Sequence, residues 1–499
     1  MRTPPATVST ATPAATPAST AATPTLGPGG LYVLLAGQLL PQIDFSIVNV
    51  ALHPIEHGLH ASATELELLV AVYGVAFAVC LAMGGRLGDN FGRRRIFNLG
   101  VLLFGIASLL CGVAGSMPML LGARLLQGAA AALLVPQILA TIHVGLRGAS
   151  HARALALFAS VGGIAFIIGQ VLGGFLVDAD IGGLGWRNAF LINLPVCAAI
   201  LALSPRVIPE TRRDNAAGVD VPGTTLLAVI ILAILLPISM GPMFHWSWPL
   251  LAVLMSAAPL TLWLWRVELR EERRGAHPLL PPSLVRLPSV RFGFIVAILF
   301  YACWSGFMFV LALALQGGGG MTPTMAGNAF IPLGLAFSVT ALQSPRIVNW
   351  LGRTRVLVCG CLIQMAGMAA LAWTLRHVWP HPDLLNLAAP TILIGVGNAM
   401  VVGCFYRIGL ADIPPEHAGA GSAALATVQQ AALGLGSALL GSVFAQSLHH
   451  GGGYLDATLA SLGAELCVMT ILVAAALVYH TRHGQPVQAR CAAAPAQSS

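Results

Sequence analysis

No lysine occurs among the 499 residues: all 25 basic side chains are arginines, and Asp and Glu add only 18 more charges. The chain therefore has no G-x-x-x-x-G-K-[ST] phosphate loop, so ATP is not its direct energy source. The lack of lysine itself reads as a composition bias. Charge of either sign is scarce, at 9% of residues against 57% hydrophobic ones, and the mean hydropathy is +0.82. A chain this apolar is a polytopic membrane protein rather than a soluble one. The nine cysteines have no zinc spacing: eight lie in apolar runs, with Cys359 and Cys361 nearest each other, and Cys491 is near the end. They read as small buried hydrophobes, with neither a disulfide frame nor a metal implied. No Ser-His-Asp or zinc-protease pattern is visible, so neither an enzyme nor a cofactor is expected. A net charge of +7 and a pI near 9.1 would suit nucleic acid only if the arginines gathered on one face, and they are dispersed in short loops.

What the chain does have is apolar runs, at about 31–52, 66–84, 96–115, 118–140, 155–177, 187–204, 221–241, 248–266, 291–315, 325–343, 355–375, 386–410, 419–446 and 460–480. These are fourteen expected membrane-spanning helices. Residues 1–29, rich in Ala, Thr, Pro and Ser, cannot bury a core and are expected to be a disordered tail, with no cleavable signal. Alternating the fourteen spans puts 22 arginines on one side, Arg187 and Arg376 on the other, and Arg124 inside a span. That asymmetry places both termini in the cytoplasm of a multi-pass cell-membrane protein.

The segment Gly85-Arg86-Leu87-Gly88-Asp89-Asn90-Phe91-Gly92-Arg93-Arg94-Arg95 interrupts the runs as a short basic turn. Its glycines permit close backbone approach or positive φ, and Asp89 and Arg93 can pair if the segment is helical. Offset by 260 positions, Pro345-Arg346-Ile347-Val348-Asn349-Trp350-Leu351-Gly352-Arg353-Thr354-Arg355 repeats the pattern, with Asn349 in place of Asp89. Two similar halves are implied, an architecture known among secondary transporters. The long polar interruptions at 205–220 and 267–290 bracket two spans outside the repeat, and Glu268–Arg274 fits either a surface helix or a solvated linker. The expected organisation is a tail (1–29), a six-helix domain (30–204), a linker with two inserted helices (205–290), a second six-helix domain (291–480) and a tail (481–499).

The pattern G-x-L-G-D-x-x-G-R-R-R resembles the loop 2–3 signature of the major facilitator superfamily. Further motifs are similar to its 14-helix drug:proton antiporter branch, the EmrB/QacA type: Asp44–Leu52 with Pro54 displaced by one, Arg124-Leu125-Leu126-Gln127-Gly128, Trp186–Pro195, and Pro414–Gly419 with Gln429-Gln430 beyond. The branch's antiporter motif appears as Gly169-Gln170-Val171-Leu172-Gly173-Gly174, with Gln170 where proline is usual. The resemblance implies an all-α major-facilitator fold and a proton-coupled exporter of hydrophobic compounds, cationic ones among them. It implies multidrug resistance, a monomer, and a conformational switch carried by Gly85, Asp89, Gly92, Arg93 and Arg94. Alternatives are a dedicated exporter of one self-made antibiotic or metabolite and, in another class, a non-transporting receptor or scaffold.

Asp44 and Arg124 are the deepest charges in the spans, with Glu465 the closest rival. At about 1.5 Å per residue both lie roughly 20 Å above the cytoplasmic edge of a ~30 Å core, so they could touch. Such charges mark a proton or substrate path or a static ion pair. Gly162, Gly169 and Gly173 share one face, suited to close helix packing, while Gln170 either bonds a neighbouring helix or faces a cavity. Trp304, Phe307, Tyr406 and Gln429 are candidates for a substrate cavity, or simply face lipid and neighbouring helices. His53, His57 and His60 have the spacing of ligands on one helical face, but Pro54 interrupts and no completing ligand is evident, so no metal is expected.

Overall fold

The computed structural model describes residues 26–483, apart from 213–219, 242, 243, 245, 276, 277, 279, 280 and 415–417. Nearly all of both expected tails, and Pro415, Glu416 and His417 of one motif, lie outside the described residues. Among the described residues all regular structure is helical. The first six long helices are α1 (Pro28–Leu59), α2 (Ala63–Phe91), α3 (Arg93–Gly112), α4 (Met117–Gly145), α5 (Gly148–Asp178) and α6 (Gly185–Val207). Two more follow, α7 (Val221–Met240) and α8 (Trp248–Arg273). The last six are α9 (Pro288–Gly317), α10 (Pro323–Leu351), α11 (Arg353–Val378), α12 (Leu384–Gly409), α13 (Ala418–His449) and α14 (Tyr454–His483). Thirteen are long and apolar enough over their described residues to cross a membrane, and α5 adds the apolar stretch Ile164–Asp178.

The helices outrun the apolar segments that nucleate them. α1 has 32 residues, about 48 Å at ~1.5 Å per residue, well beyond a ~30 Å hydrocarbon core. It runs through Pro54, so His53, Glu56 and His57 occupy its last turns and not a loop, and only His60, at φ 51°, leaves the helix. α2 begins with a capping box: the Glu65 amide donates to Ser62 Oγ at 3.3 Å and the Ser62 amide to Glu65 Oε2 at 2.8 Å.

The basic stretch at 85–95 is likewise helical, not a loop; α2 continues to Phe91 and α3 starts at Arg93, with Gly92 alone breaking the chain at φ +105°. Gly352 does the same between α10 and α11 at φ +83°. The repeat seen in sequence is thus a repeated backbone conformation that favours glycine. The end of the bundle carrying these two breaks is called the arginine end below.

Helices α1 to α6 pack among themselves, as do α9 to α14, with α2 on α4, α3 on α4 and α1 on α5 in one set, and α11 on α12 and α10 on α12 in the other. The sets meet where α2 packs on α13, α5 on α10 and α1 on α9. α7 lies against both α2 and α13, where Ile231 and Leu235 join Ala71, Val75 and Ala438 in one apolar cluster, and α8 packs outside α7.

Candidate functional site

α1 delivers Asp44 into the interior of the first helix set, where it is fully buried. Arg124 of α4, 1% exposed, pairs with Asp44 Oδ2 through Nη1. The same guanidinium donates to Gln127 Oε1 at 2.8 Å and, through Nε, to the Leu69 carbonyl of α2 at 3.4 Å. Asp44 Oδ1 accepts from Gln127 Nε2 at 2.6 Å and from Asn193 Nδ2 of α6 at 3.1 Å. Ser108 Oγ of α3 in turn accepts from both amides, at 2.9 and 3.2 Å. Three helices therefore meet at the carboxylate itself, and five are joined in the network around it. Isolated charge is expensive in an apolar interior, and this donor set offsets the cost of Asp44 only while it is held together. The fork of Arg124 suits the task because its donors point along fixed directions to separate acceptors.

The pair opens onto an aromatic row. Arg124 Cζ stands 4.3 Å from the centroid of the Tyr73 ring, a cation–π contact, and Tyr73 donates its hydroxyl to the Pro41 carbonyl at 3.1 Å. From Tyr73 the row passes to Phe45 (6.3 Å between centroids), to Phe166 of α5 (5.7 Å), and across to Trp304 of α9 (6.3 Å), which stacks on Phe307 (5.9 Å). The row links the ion pair to the second helix set. Tyr406 and Gln429 form a separate group, with the Tyr406 hydroxyl donating to Gln429 Oε1 at 2.9 Å. Of the four cavity candidates, Tyr406 lines an opening of about 700 Å³ at the arginine end, with Asn349, Gly352 and Arg353.

The glycines of α5 sit where closeness is required. A Cβ on Gly169 would lie 2.7 Å from the Ile43 carbonyl oxygen, and one on Gly173 2.6 Å from Ile47 Cγ1, so α1 and α5 touch backbone to backbone. Gly174 faces the other way, with Pro323 O 2.4 Å from where its Cβ would be. Gln170 is 1% exposed and its amide approaches Met308 Sδ of α9 at 3.5 Å, so it bonds a neighbouring helix of the other set. Gly162 lies within α5, its packing outside what is described. Asp178 Oδ2 accepts from the Thr324 amide at 2.8 Å, and Gly74 packs on Gly434. All these contacts between the sets lie in the middle of the bundle or at the end remote from the arginine turns.

In the basic stretch at 85–95, Asp89 Oδ1 accepts from Arg93 Nη2 at 2.6 Å and Nε at 3.1 Å. Sequence reasoning missed Glu210, which takes the Arg94 amide at 3.1 Å and neighbours the side chains of Arg94 and Arg95. It lies against Gly92, where any Cβ would stand 2.6 Å from Glu210 Oε1. Gly85 has ordinary room, 3.6 Å from Pro136 Cβ; the tight positions are Gly84, against the Ala132 carbonyl, and Gly88, against Gln137. Two more carboxylic residues, Glu465 and Glu67, are buried within the helix sets. Among the described residues Glu465 of α14 has no hydrogen-bond partner on either oxygen, and Glu67 of α2 is 2% exposed. Glu67 falls at the edge of an apolar run in the sequence, and the Ser62–Glu65 capping pair is the signal that places it inside the helix. His53 faces Glu56 at 3.4 Å and stacks edge-on to His57, and among the described residues no group of three or more metal-ligating side chains occurs.

A bundle of two repeated helix sets, meeting around buried charge and aromatic side chains, is a transporter architecture. The chain belongs to the Major Facilitator Superfamily, whose family model matches residues 34–437, and it is a transporter and not an enzyme. It is 36% identical to the puromycin resistance protein pur8 of Streptomyces alboniger over 83% of this chain and 81% of that protein. It is 31% identical to the drug efflux pump JefA of Mycobacterium tuberculosis, over 81% of this chain and 77% of that one. In fold it resembles a bacterial homologue of the human lysosomal transporter Spinster, solved in an inward-facing and occupied conformation, with TM-score 0.62 and 16% identity over 90% of this chain and 96% of the other.

Proposed function

We propose that the chain exports hydrophobic drugs or antibiotics in exchange for protons, and that Asp44 is the group that takes and releases the proton. The observation that carries this is the five-helix cluster around Asp44 and Arg124, joined through Tyr73 to an aromatic row that reaches the second helix set. Residues 30–204 and 291–480 act as the two moving halves, and 205–290 as the link with two inserted helices. The excess of arginine supports a cytoplasmic position for the arginine end and both termini. With the halves in contact at the remote end, the conformation is then inward-facing, ready to take substrate from the cell. Movement of α1 against α4 and α6 would separate Asp44 from its donors, favouring its protonated form, and their return would favour the carboxylate. The relatives named for efflux and for resistance support a drug as cargo. Accumulation of several unrelated fluorescent dyes in cells, with and without an uncoupler, tests this. Uncoupler-sensitive exclusion of several dyes is the expected result. Exclusion of none, with export of a single antibiotic, would mean a dedicated exporter, and exclusion insensitive to the uncoupler would contradict proton coupling.

A further inference from the structure

Glu67 is the fifth residue of α2 and lies at the remote end, inside the junction of α2, α13 and α7. Gly441 of α13 packs on it so closely that a Cβ there would stand 2.7 Å from Glu67 Cγ and 2.8 Å from Oε1. The next residue, Ser442, sets its Oγ 3.5 Å from Glu67 Oε2 and 3.0 Å from the carbonyl oxygen of Ile238 in α7. A hydroxyl carries one hydrogen, and a peptide carbonyl can only accept. Ser442 therefore has one hydrogen for two acceptors, and the shorter contact is the one to the Ile238 carbonyl. When that hydrogen serves Ile238, the carboxyl group completes the contact by supplying a hydrogen of its own, forming a chain from Glu67 through Ser442 to Ile238.

No ion pair compensates an ionised Glu67 among the described residues. The titratable groups on the adjoining cavity are Glu56 of α1, which faces His53 at 3.4 Å, and Tyr454 of α14. α13 presents Gly441 and Phe444 there, and α9 presents Phe309, none of them charged. A buried carboxylate with no partner but one neutral hydroxyl, and that one shared with the Ile238 carbonyl, is strongly disfavoured, so closing this junction favours the neutral acid. The cavity, about 40 Å³, is large enough for a water molecule, which needs roughly 10–15 Å³, and such a water would sit beside the carboxyl group.

We infer that Glu67 is a second proton-binding site, filled from the remote face while α2 and α13 are apart and kept occupied when they close onto Ser442 and Ile238. The inference rests on the proton-coupled reading above. Asp44 lies within one helix set, whereas Glu67 lies between the two and against the inserted α7, so its occupancy is tied to closure. The step forms one O–H bond at the carboxylate and breaks one in a hydronium ion of the bulk water at that face, which leaves as water.

Hydrogen–deuterium exchange of the full chain in lipid nanodiscs, followed across pH and corrected for intrinsic rates, tests the site. In wild type, the segments around 63–75 and 434–448 are expected to lose protection together as the pH is raised. Glu67→Gln, whose amide donates permanently, should hold both segments protected at every pH. A pH response that survives this substitution, or a wild type with none, overturns the inference. If Glu67→Gln does not reach the membrane, Ser442→Ala serves: it removes the acceptor, so protection should fall at a pH where wild type is still closed, and unchanged protection overturns the site. Drug-induced proton release in proteoliposomes is read separately. Its absence from wild type contradicts the coupled reading even if the segments respond to pH, whereas a response indifferent to Glu67 sinks this site even if exchange is normal.

Discussion

Asp44 is tolerable in the interior because each of its oxygens has a donor with fixed geometry, and the most demanding of these is Arg124, which serves Asp44, Gln127 and the Leu69 carbonyl at once. A lysine cannot reach three acceptors in that fork. Arg124→Lys therefore loses at least one charge-assisted hydrogen bond, worth about 1.5–3 kcal/mol, and transport is expected to fall about tenfold or more at matched membrane abundance. Wild-type rates from this variant would show that a point charge suffices. The meeting of Asp44 with Arg124 was legible in sequence, because two counted helix positions give two depths. The partners Gln127, Asn193 and Ser108 were not, since depth says nothing of how each helix is rotated. Gln127 and Asn193 stood inside recognised motifs, yet only the packed helices show that both amides point at one carboxylate.

At the scale of the element, α5 is fixed to α1 by absent side chains. Gly169→Leu or Gly173→Leu forces volume into a backbone contact, at a cost of about 1–3 kcal/mol, so efflux should fall for both variants; normal efflux at matched abundance would mean that the contact is dispensable. The glycine spacing made this face legible, although Gly174 and Gln170 turn instead to α10 and α9. Helix ends were read less well. Apolar windows locate the part of a helix that suits hydrocarbon, whereas the helix continues wherever its own hydrogen bonds are kept, through Pro54 in α1 and through Asp89 in α2. The stretch expected to act as a switch is accordingly a helix break at Gly92, stapled by the Asp89–Arg93 pair. Asp89→Asn should lower transport of every substrate about equally; a selective loss for one substrate, with normal abundance, would place Asp89 in recognition instead.

Over the whole molecule, the two helix sets touch in the middle and at the remote end, and α7 with α8 rides on the junction of α2 and α13. The repeat and the count of fourteen were legible because a 260-residue offset and an apolar pattern survive in sequence. Where the inserted pair sits was not, because two helices outside a repeat carry no register to place them. The structure puts their charges beside the basic stretch at 85–95: Asp220, which caps α7, and Glu268, buried on α8, both act electrostatically on Arg86. Glu268→Gln should therefore slow efflux of all substrates without altering their ranking, which dye-efflux assays on several compounds would read; a changed ranking would make the insert part of the substrate path. The central claim is that protonation of Asp44 drives export. It is tested most directly by drug-induced proton release in proteoliposomes containing wild type or Asp44→Asn at equal abundance. Wild type should exchange drug for protons and Asp44→Asn should not; a variant that still exchanges them at the normal ratio would show that the coupling group lies elsewhere.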